Sequence, residues 1–300
     1  MAVVRECVPM QVHLIDGTYE LFRYFFAVPE HIADDGRDVA AARSVVSSLV
    51  TLLEDGGTHV GVATDHVIES FRNDLWPGYK DGSGVDPVLK AQFPLLEATL
   101  EAAGFGVFAM VDVEADDALA SAARVAAADD RVEKVWIATV DKDLAQCVGG
   151  KIFQLDRRRG LEIDRDGVVE KFGVPPESIP DYLALVGDSA DGFPGLKGWG
   201  AKSASAVLSR WGHVVDIPDD ATKWEADVRG AAKLALTLSE NRELAGLFVR
   251  LATLVDDCPT IESVDDIEWT GPTDDLATVC DYLEAASMRE RIERLAEQRC

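Results

Sequence analysis

The first half of the chain alternates short apolar runs with longer helical patterns, and this alternation limits the possible folds more than any other feature. "VHLID" (12–16), "HVGVATD" (59–65), "FGVFAM" (105–110) and "KVWIATVD" (134–141) are short and rich in β-branched or aromatic residues. Runs of that kind read as buried strands. Between them, 38–57, 86–104 and 114–130 carry apolar residues at helical spacing, and Pro94 is predicted to kink or divide the second of these. Strands separated by helices imply a mostly parallel sheet covered on both faces. "KIFQLDRRRGLEI" (151–163) reads as a hairpin closing that core. From about residue 166 short helices and Gly-rich turns take over, with amphipathic stretches at 224–255 and 274–298. The predicted division is an α/β core over 1–170 and a helical region over 171–300, with an acidic connection at 256–275.

The formal charge is −25, from 54 Asp and Glu against 29 Lys and Arg. Such a balance excludes a sequence-blind basic coat for nucleic acid, which needs clustered cations. No apolar stretch is long enough for a membrane helix. The start, "MAVVRECVPMQ", has no charged-then-apolar signal with a cleavage site. Cys7, Cys147, Cys258, Cys280 and Cys300 are scattered, without metal-ligand spacing. A reducing cytoplasm is the expected location.

At this composition an acid-x-acid pair means little, so the acids must be weighed by position. Asp16 opens an Asp-Gly-Thr like that of aspartyl-phosphate phosphatases, whose nucleophile lies two residues earlier. Leu14 holds that place, and a leucine forms no phospho-enzyme. Open parallel sheets place working residues just beyond the carboxyl ends of their strands. Asp16, Asp65 and Asp141 fall there, and Asp143 follows two residues on. "VEADD" adds Glu114, Asp116 and Asp117 at a helix start, and "GDSADG" adds Asp188 and Asp191. Nine carboxylates converging on one sheet edge would repel unless several held protons or a cation intervened. Hard oxygen ligands suit Mg²⁺ or Mn²⁺. Two such ions roughly 4 Å apart can clamp the attacking water and the leaving oxygen of a phosphodiester. Each acid taken singly is equally well a helix cap or a turn residue.

"DGFPGLKGWGAKSASAVL" (191–208) places Gly195, Gly198 and Gly200 ahead of a helix, flanked by Lys197 and Lys202. Outward amides at a helix start suit phosphate, although such a turn also simply joins two helices. Its spacing is wrong for a Walker loop, so an NTPase is not supported. "SFRNDLWPGYK" (70–80) carries Arg72, Tyr79 and Lys80. These are either cations for a scissile phosphate with an aromatic for an unpaired base, or parts of a solvated loop.

Taken in order, these motifs resemble the bacterial 5′-nuclease family: flap endonucleases and the 5′→3′ exonuclease domain of DNA polymerase I. The likeness runs from about 12 to 255, through "LIDGTYELFR", "SFRNDLWPGYK", "EADDALA", "TVDKDLAQ" and "GDSADGFPGLKGWGAKSA". The resemblance implies a three-layer PIN-like or resolvase-like core, an arch over about 70–100, and a helix-three-turn-helix over about 185–212. It implies that Asp16, Asp65, Glu114, Asp116, Asp117, Asp141, Asp143, Asp188 and Asp191 ligate two or more Mg²⁺ or Mn²⁺ ions. Arg72 and Lys80 would meet the scissile phosphate. Arg23, Tyr79, Gly195, Lys197, Gly198, Gly200 and Lys202 would contact DNA, with K⁺ near Gly198 and Gly200. The implied substrate is DNA with a 5′ flap, nick or free 5′ end, read by shape. As the chain ends at Cys300, a stand-alone monomeric nuclease is expected.

Two features depart from the family pattern. Ser83 stands where an Arg is usual, and Lys90 is the only cation of 81–100. The acidic surface predicts weak, salt-sensitive binding. Three other readings compete. An RNA-directed PIN-type ribonuclease is opposed by the Gly-rich turn, and a non-cleaving branched-DNA binder by the full acid set. A bland acidic interaction module fits that turn poorly. The last helical stretch either docks on a partner or packs on its own core.

Overall fold

A computed structural model describes residues 10–299; residues 1–9 of the N-terminal segment read for a signal, with Cys7, and also Cys300, lie outside the described residues. Six strands form one sheet in the order β3-β2-β1-β4-β5-β6. They are β1 (Met10–Asp16), β2 (His59–Asp65), β3 (Gly106–Met110), β4 (Val132–Ala138), β5 (Ile152–Asp156) and β6 (Leu161–Ile163). The first five run parallel, and β6 turns back on β5 as the predicted hairpin. Chain direction across the sheet reverses at β1, which has β2 on one side and β4 on the other. The crevice at that switch point, at the carboxyl ends of the strands, is where parallel sheets form sites.

Alternating side chains explain the layers. Ile15, Val60 and Val62 face α1 (Gly17–Phe25), α2 (Ala40–Glu54) and α4 (Pro87–Ala102). Val12, Leu14, Ala63, Val135 and Ile137 face α5 (Ala115–Ala128). The three-layer core read from the sequence is therefore present. The short α3 (Phe71–Leu75) lies between β2 and α4. Pro94 does not divide α4, which runs unbroken with Pro94 on its solvent side. One ladder bond is lost there, but the buried Leu89, Phe93, Leu96 and Leu100 hold the helix on the core. The second half of the segment read as an arch over 70–100 is this helix, packed on the core.

The helical region has its own core, built from α6 (Arg165–Phe172), α7 (Ile179–Val186), α8 (Ala201–Trp211), α9 (Ala231–Glu240) and α10 (Arg242–Ala252). The last part of the predicted region 171–300 packs elsewhere. Leu276, Cys280, Leu283, Met288, Ile292 and Leu295, on and between α11 (Leu276–Tyr282) and α12 (Ala286–Arg299), join the first core against α2 and α4. The predicted acidic connection before them is not loose, since Val264, Ile267 and Trp269 are buried. Among the described residues no helix is long and apolar enough to cross a membrane.

Candidate metal centre

Asp16 ends β1 and caps α1, accepting from the Tyr19 amide at 2.8 Å and from Thr139 Oγ1 at 2.8 Å. Asp65 ends β2 and accepts from the Ala115 amide at 2.8 Å, which ties β2 to the start of α5. Asp116 lies in the first turn of α5, where the helix dipole favours an anion. Asp141 and Asp143 follow β4, with the Asp143 amide donating to Asp141 Oδ1 at 3.0 Å. Asp188 and Asp191 come from the loop after α7. The carboxylates of Asp143, Asp188 and Asp191 offer ligand oxygens all within 4.8 Å of one another.

The loop bearing Asp188 and Asp191 reaches this mouth because two glycines permit close backbone contact. A Cβ on Gly192 would sit 2.0 Å from the Gly78 carbonyl oxygen, and one on Gly195 would sit 2.4 Å from the Gly187 nitrogen; both residues have positive φ. The Lys80 amide donates to the Asp191 carbonyl at 3.0 Å, and Trp76 Nε1 donates to that of Gly192 at 3.1 Å. Lys80 is thereby set at the mouth, with Nζ 2.7 Å from Glu114 Oε2 and 3.0 Å from Asp191 Oδ1.

Burial pushes the Asp16 carboxyl up to about 7, with Asp65 and Asp141 adding repulsion. Burial also drives Asp116 well up, helped by Asp141 and Asp16, and Asp143 well up, helped by Asp191 and Asp141. Asp65 and Asp191 rise for the same first cause. Lys80 runs the other way: burial lowers it, but Glu114 and Asp191 outweigh that and hold the ammonium charged. These groups fit divalent cations on a specific ground. Among the described residues Asp143 Oδ1 is buried with no partner, and an all-carboxylate set of hard oxygens is what such ions take.

Four predicted site residues occupy different roles. Asp117 is fully buried, with both oxygens already engaged. Oδ2 accepts from Arg72 Nη1 at 2.7 Å and the Glu114 amide at 2.9 Å; Oδ1 accepts from Arg72 Nη2 at 2.7 Å and the Val255 amide at 2.8 Å. Arg72 is correspondingly 1% exposed, and it also donates to the carbonyls of Leu251 at 2.8 Å and Thr253 at 3.1 Å. It therefore caps the end of α10 and does not face solvent. Tyr79 is buried in the helical core with its hydroxyl 3.3 Å from Glu114 Oε2, so its ring offers no stacking surface. Glu114 is the hub: Oε1 takes Ser70 Oγ and Arg72, and Oε2 takes Tyr79 and Lys80.

The remaining predicted contacts lie outside the carboxylate cluster. Arg23, in the last turn of α1, pairs with Glu20 and lies 4.0 Å over the Tyr24 ring. Lys197 and Gly198 lie on the turn into α8 and Lys202 in its first turn, both lysines exposed; the cap of α8 is Gly200, with its amide 3.0 Å from Ser203 Oγ. Ser83 is exposed and bonds nearby Asp81, and Lys90 is exposed on α4. Sequence reasoning missed Lys142, whose Nζ lies 2.7 Å from Asp188 Oδ2. Its place between Asp141 and Asp143 was the available signal. Thr139 and Ser70, which bond Asp16 and Glu114, carried none.

The raised carboxyls predict how the metal-free protein responds to pH. Each folded-state value exceeds its unfolded one, so these groups subtract nothing below about pH 4 and progressively more as pH rises through the folded values. The melting midpoint in EDTA should fall between about pH 5 and about pH 8, and saturating Mg²⁺ or Mn²⁺ should flatten the curve. A midpoint in EDTA that is flat across that window would contradict the assigned repulsion.

A resolvase-like α/β layer with acids at its strand ends, followed by a SAM-like helical domain, is the class that fold and site define. The chain belongs to the 5′-3′ exonuclease family: residues 11–173 match its N-terminal resolvase-like domain and 174–275 its C-terminal SAM fold. It is 38% identical over 248 residues to DNA polymerase I of Pseudomonas aeruginosa, covering 81% of this chain and 27% of that protein. It is 31% identical to a 5′-3′ exonuclease of Aquifex aeolicus, covering 82% of this chain and 83% of that one. The chain spans between a quarter and a third of the DNA polymerase I relatives it matches. In fold it matches the T5 D15 protein co-crystallised with metal ions, with a TM-score of 0.65, 23% identity and coverage of 95% and 99%. It also matches flap endonuclease-1 from Methanococcus jannaschii, with a TM-score of 0.60, 14% identity and coverage of 98% and 95%.

Proposed function

We propose that this chain is a divalent-metal-dependent, structure-specific 5′ nuclease that hydrolyses DNA at 5′ flaps, nicks or free 5′ ends in replication and repair. The carrying observation is the convergence of buried, mutually repelling carboxylates on one strand-end mouth. Asp16, Asp65, Asp116 and Asp141 form one part of the proposed ligand set, and Asp143, Asp188 and Asp191 the other, for Mg²⁺ or Mn²⁺. When bound, the cations supply Lewis-acid stabilisation of charge on the phosphate and its leaving oxygen.

The chain's own residues supply position and charge. Lys80 holds an ammonium between Glu114 and Asp191, with its remaining N–H free to meet a phosphate oxygen. Arg72 and Asp117 act indirectly, fixing Glu114 and with it Lys80. Lys197 and Lys202, beside the first-turn amides of α8, suit backbone contact that grips a duplex without reading bases. K⁺ at the turn near Gly198 and Gly200, a monomeric state and a cytoplasmic setting belong to the same reading. Solved relatives support the substrate class: one is a T5 flap endonuclease in a complex with DNA and metal ions, another the Rad2 catalytic core with DNA substrate.

The test is a 5′-end-labelled flap duplex and a matched nicked duplex, incubated at low salt with Mg²⁺, Mn²⁺ or EDTA. Metal-dependent products are expected, and their lengths separate flap cutting from stepwise removal. Binding without cleavage under either metal would overturn the nuclease and leave a branched-DNA binder.

A further inference from the structure

We propose that His59, Asp265 and Glu268 form a second metal site, for a Zn²⁺-class transition-metal ion, that staples the segment after α10 to the sheet end opposite the carboxylate mouth. A ring nitrogen of His59 and one oxygen from each acid lie within 4.8 Å of one another. His59 begins the strand that Asp65 ends, so the two sites are separated by roughly 20 Å of extended chain.

The independent pointer to a ligand is His59 itself. It is 5% exposed, and its Nε2 is buried with no hydrogen-bond partner among the described residues. A polar atom left that way is costly unless something fills the position. The other nitrogen, Nδ1, lies 2.9 Å from Thr58 Oγ1. If Nδ1 carries the proton and donates to that hydroxyl, Nε2 presents a lone pair, the arrangement typical of metal-bound imidazoles.

The surrounding backbone is already fixed. His59 and Glu268 form an antiparallel bridge, and the Trp269 amide donates to the Thr58 carbonyl at 2.7 Å. Val264 and Ile267 are buried under the sheet, so the acids between and beside them have little freedom except in their exposed side chains. Those side chains can close the last distance to a tetrahedral ion. Asp265 now pairs with Arg131 at 2.9 Å, and Arg131 keeps Asp129 at 2.7 Å if Asp265 turns away. Three carboxylates against one guanidinium leave two negative charges around His59, matching a divalent ion. One imidazole with two carboxylates favours Zn²⁺ or Co²⁺ over Mg²⁺.

The test uses the full chain carrying Asp116→Asn and Asp143→Asn, so that ions at the mouth do not mask the second site. Titration with Co²⁺ should give one ion per chain with a visible absorption band, displaced by Zn²⁺ and insensitive to excess Mg²⁺. His59→Gln and Glu268→Gln should each weaken binding at least tenfold and remove the rise in melting midpoint that Zn²⁺ produces. Glu268 is exposed, so its variant should keep the fold, which far-UV circular dichroism checks. An unchanged Co²⁺ band in both variants, or no binding in the parent, would overturn the site.

Discussion

Asp143→Asn is expected to reduce metal-dependent cleavage of a flap substrate by about 10³-fold or more, and to raise the melting midpoint of the metal-free protein. Both effects have one cause. Asp143 is buried beside Asp188 and Asp191, with one oxygen unpartnered among the described residues and its carboxyl driven well above the usual range. Removing its charge relieves a repulsion, and such relief at a functional site is on the order of 1 kcal/mol. The same charge is what a divalent cation would neutralise. Loss of several kcal/mol of transition-state stabilisation corresponds to about 10³-fold, at 1.36 kcal/mol per tenfold. Cleavage rates at saturating Mg²⁺ and melting in EDTA measure the two halves. If activity fell but the metal-free midpoint also fell, Asp143 would be a structural group, and its place in the proposed ligand set would be lost.

Asp143 is legible in the amino-acid order because strand ends are legible. An apolar β-branched run that stops at an acid locates the acid at the sheet's mouth, and Asp16, Asp65 and Asp141 follow from that alone. What periodicity does not reveal is which acid of a pair meets a cation. Asp116 and Asp117 are adjacent on α5 and differ by one step of the helix. That step turns Asp116 toward the mouth and Asp117 toward Arg72. Tyr79 misleads for a related reason, since a tyrosine beside a lysine looks exposed until the core that takes its ring is known. The amphipathic pattern of 274–298 announces burial but not the partners, and the partners are α2 and α4, helices from the first third of the chain. Pro94 shows the converse: a local breaker yields when its solvent face loses one bond and its buried face keeps a row of large side chains.

Arg72→Met should lower the melting midpoint sharply, whatever it does to cleavage. Its guanidinium is the partner of two buried carboxylates, at 3.0 Å from Glu114 and 2.7 Å from Asp117, and it satisfies two carbonyls at the end of α10. Removing one side of a buried ion pair leaves the other charge uncompensated, at a cost of about 3–5 kcal/mol. For a chain of this size that is a fall of roughly 6–12 °C. Arg72→Lys should rescue little, because a single ammonium cannot reproduce two parallel bonds to Asp117 and two more to backbone oxygens. Asp117→Asn in the Arg72→Met background should recover part of the loss by removing the unpaired charge, so the two changes should be non-additive. A residue whose role was to touch the scissile phosphate would behave oppositely, with an unaltered midpoint, no coupling to Asp117, and loss confined to cleavage. The melting curves of the single and double variants therefore decide whether Arg72 works on the substrate or on the scaffold that holds Glu114 and Lys80 in place.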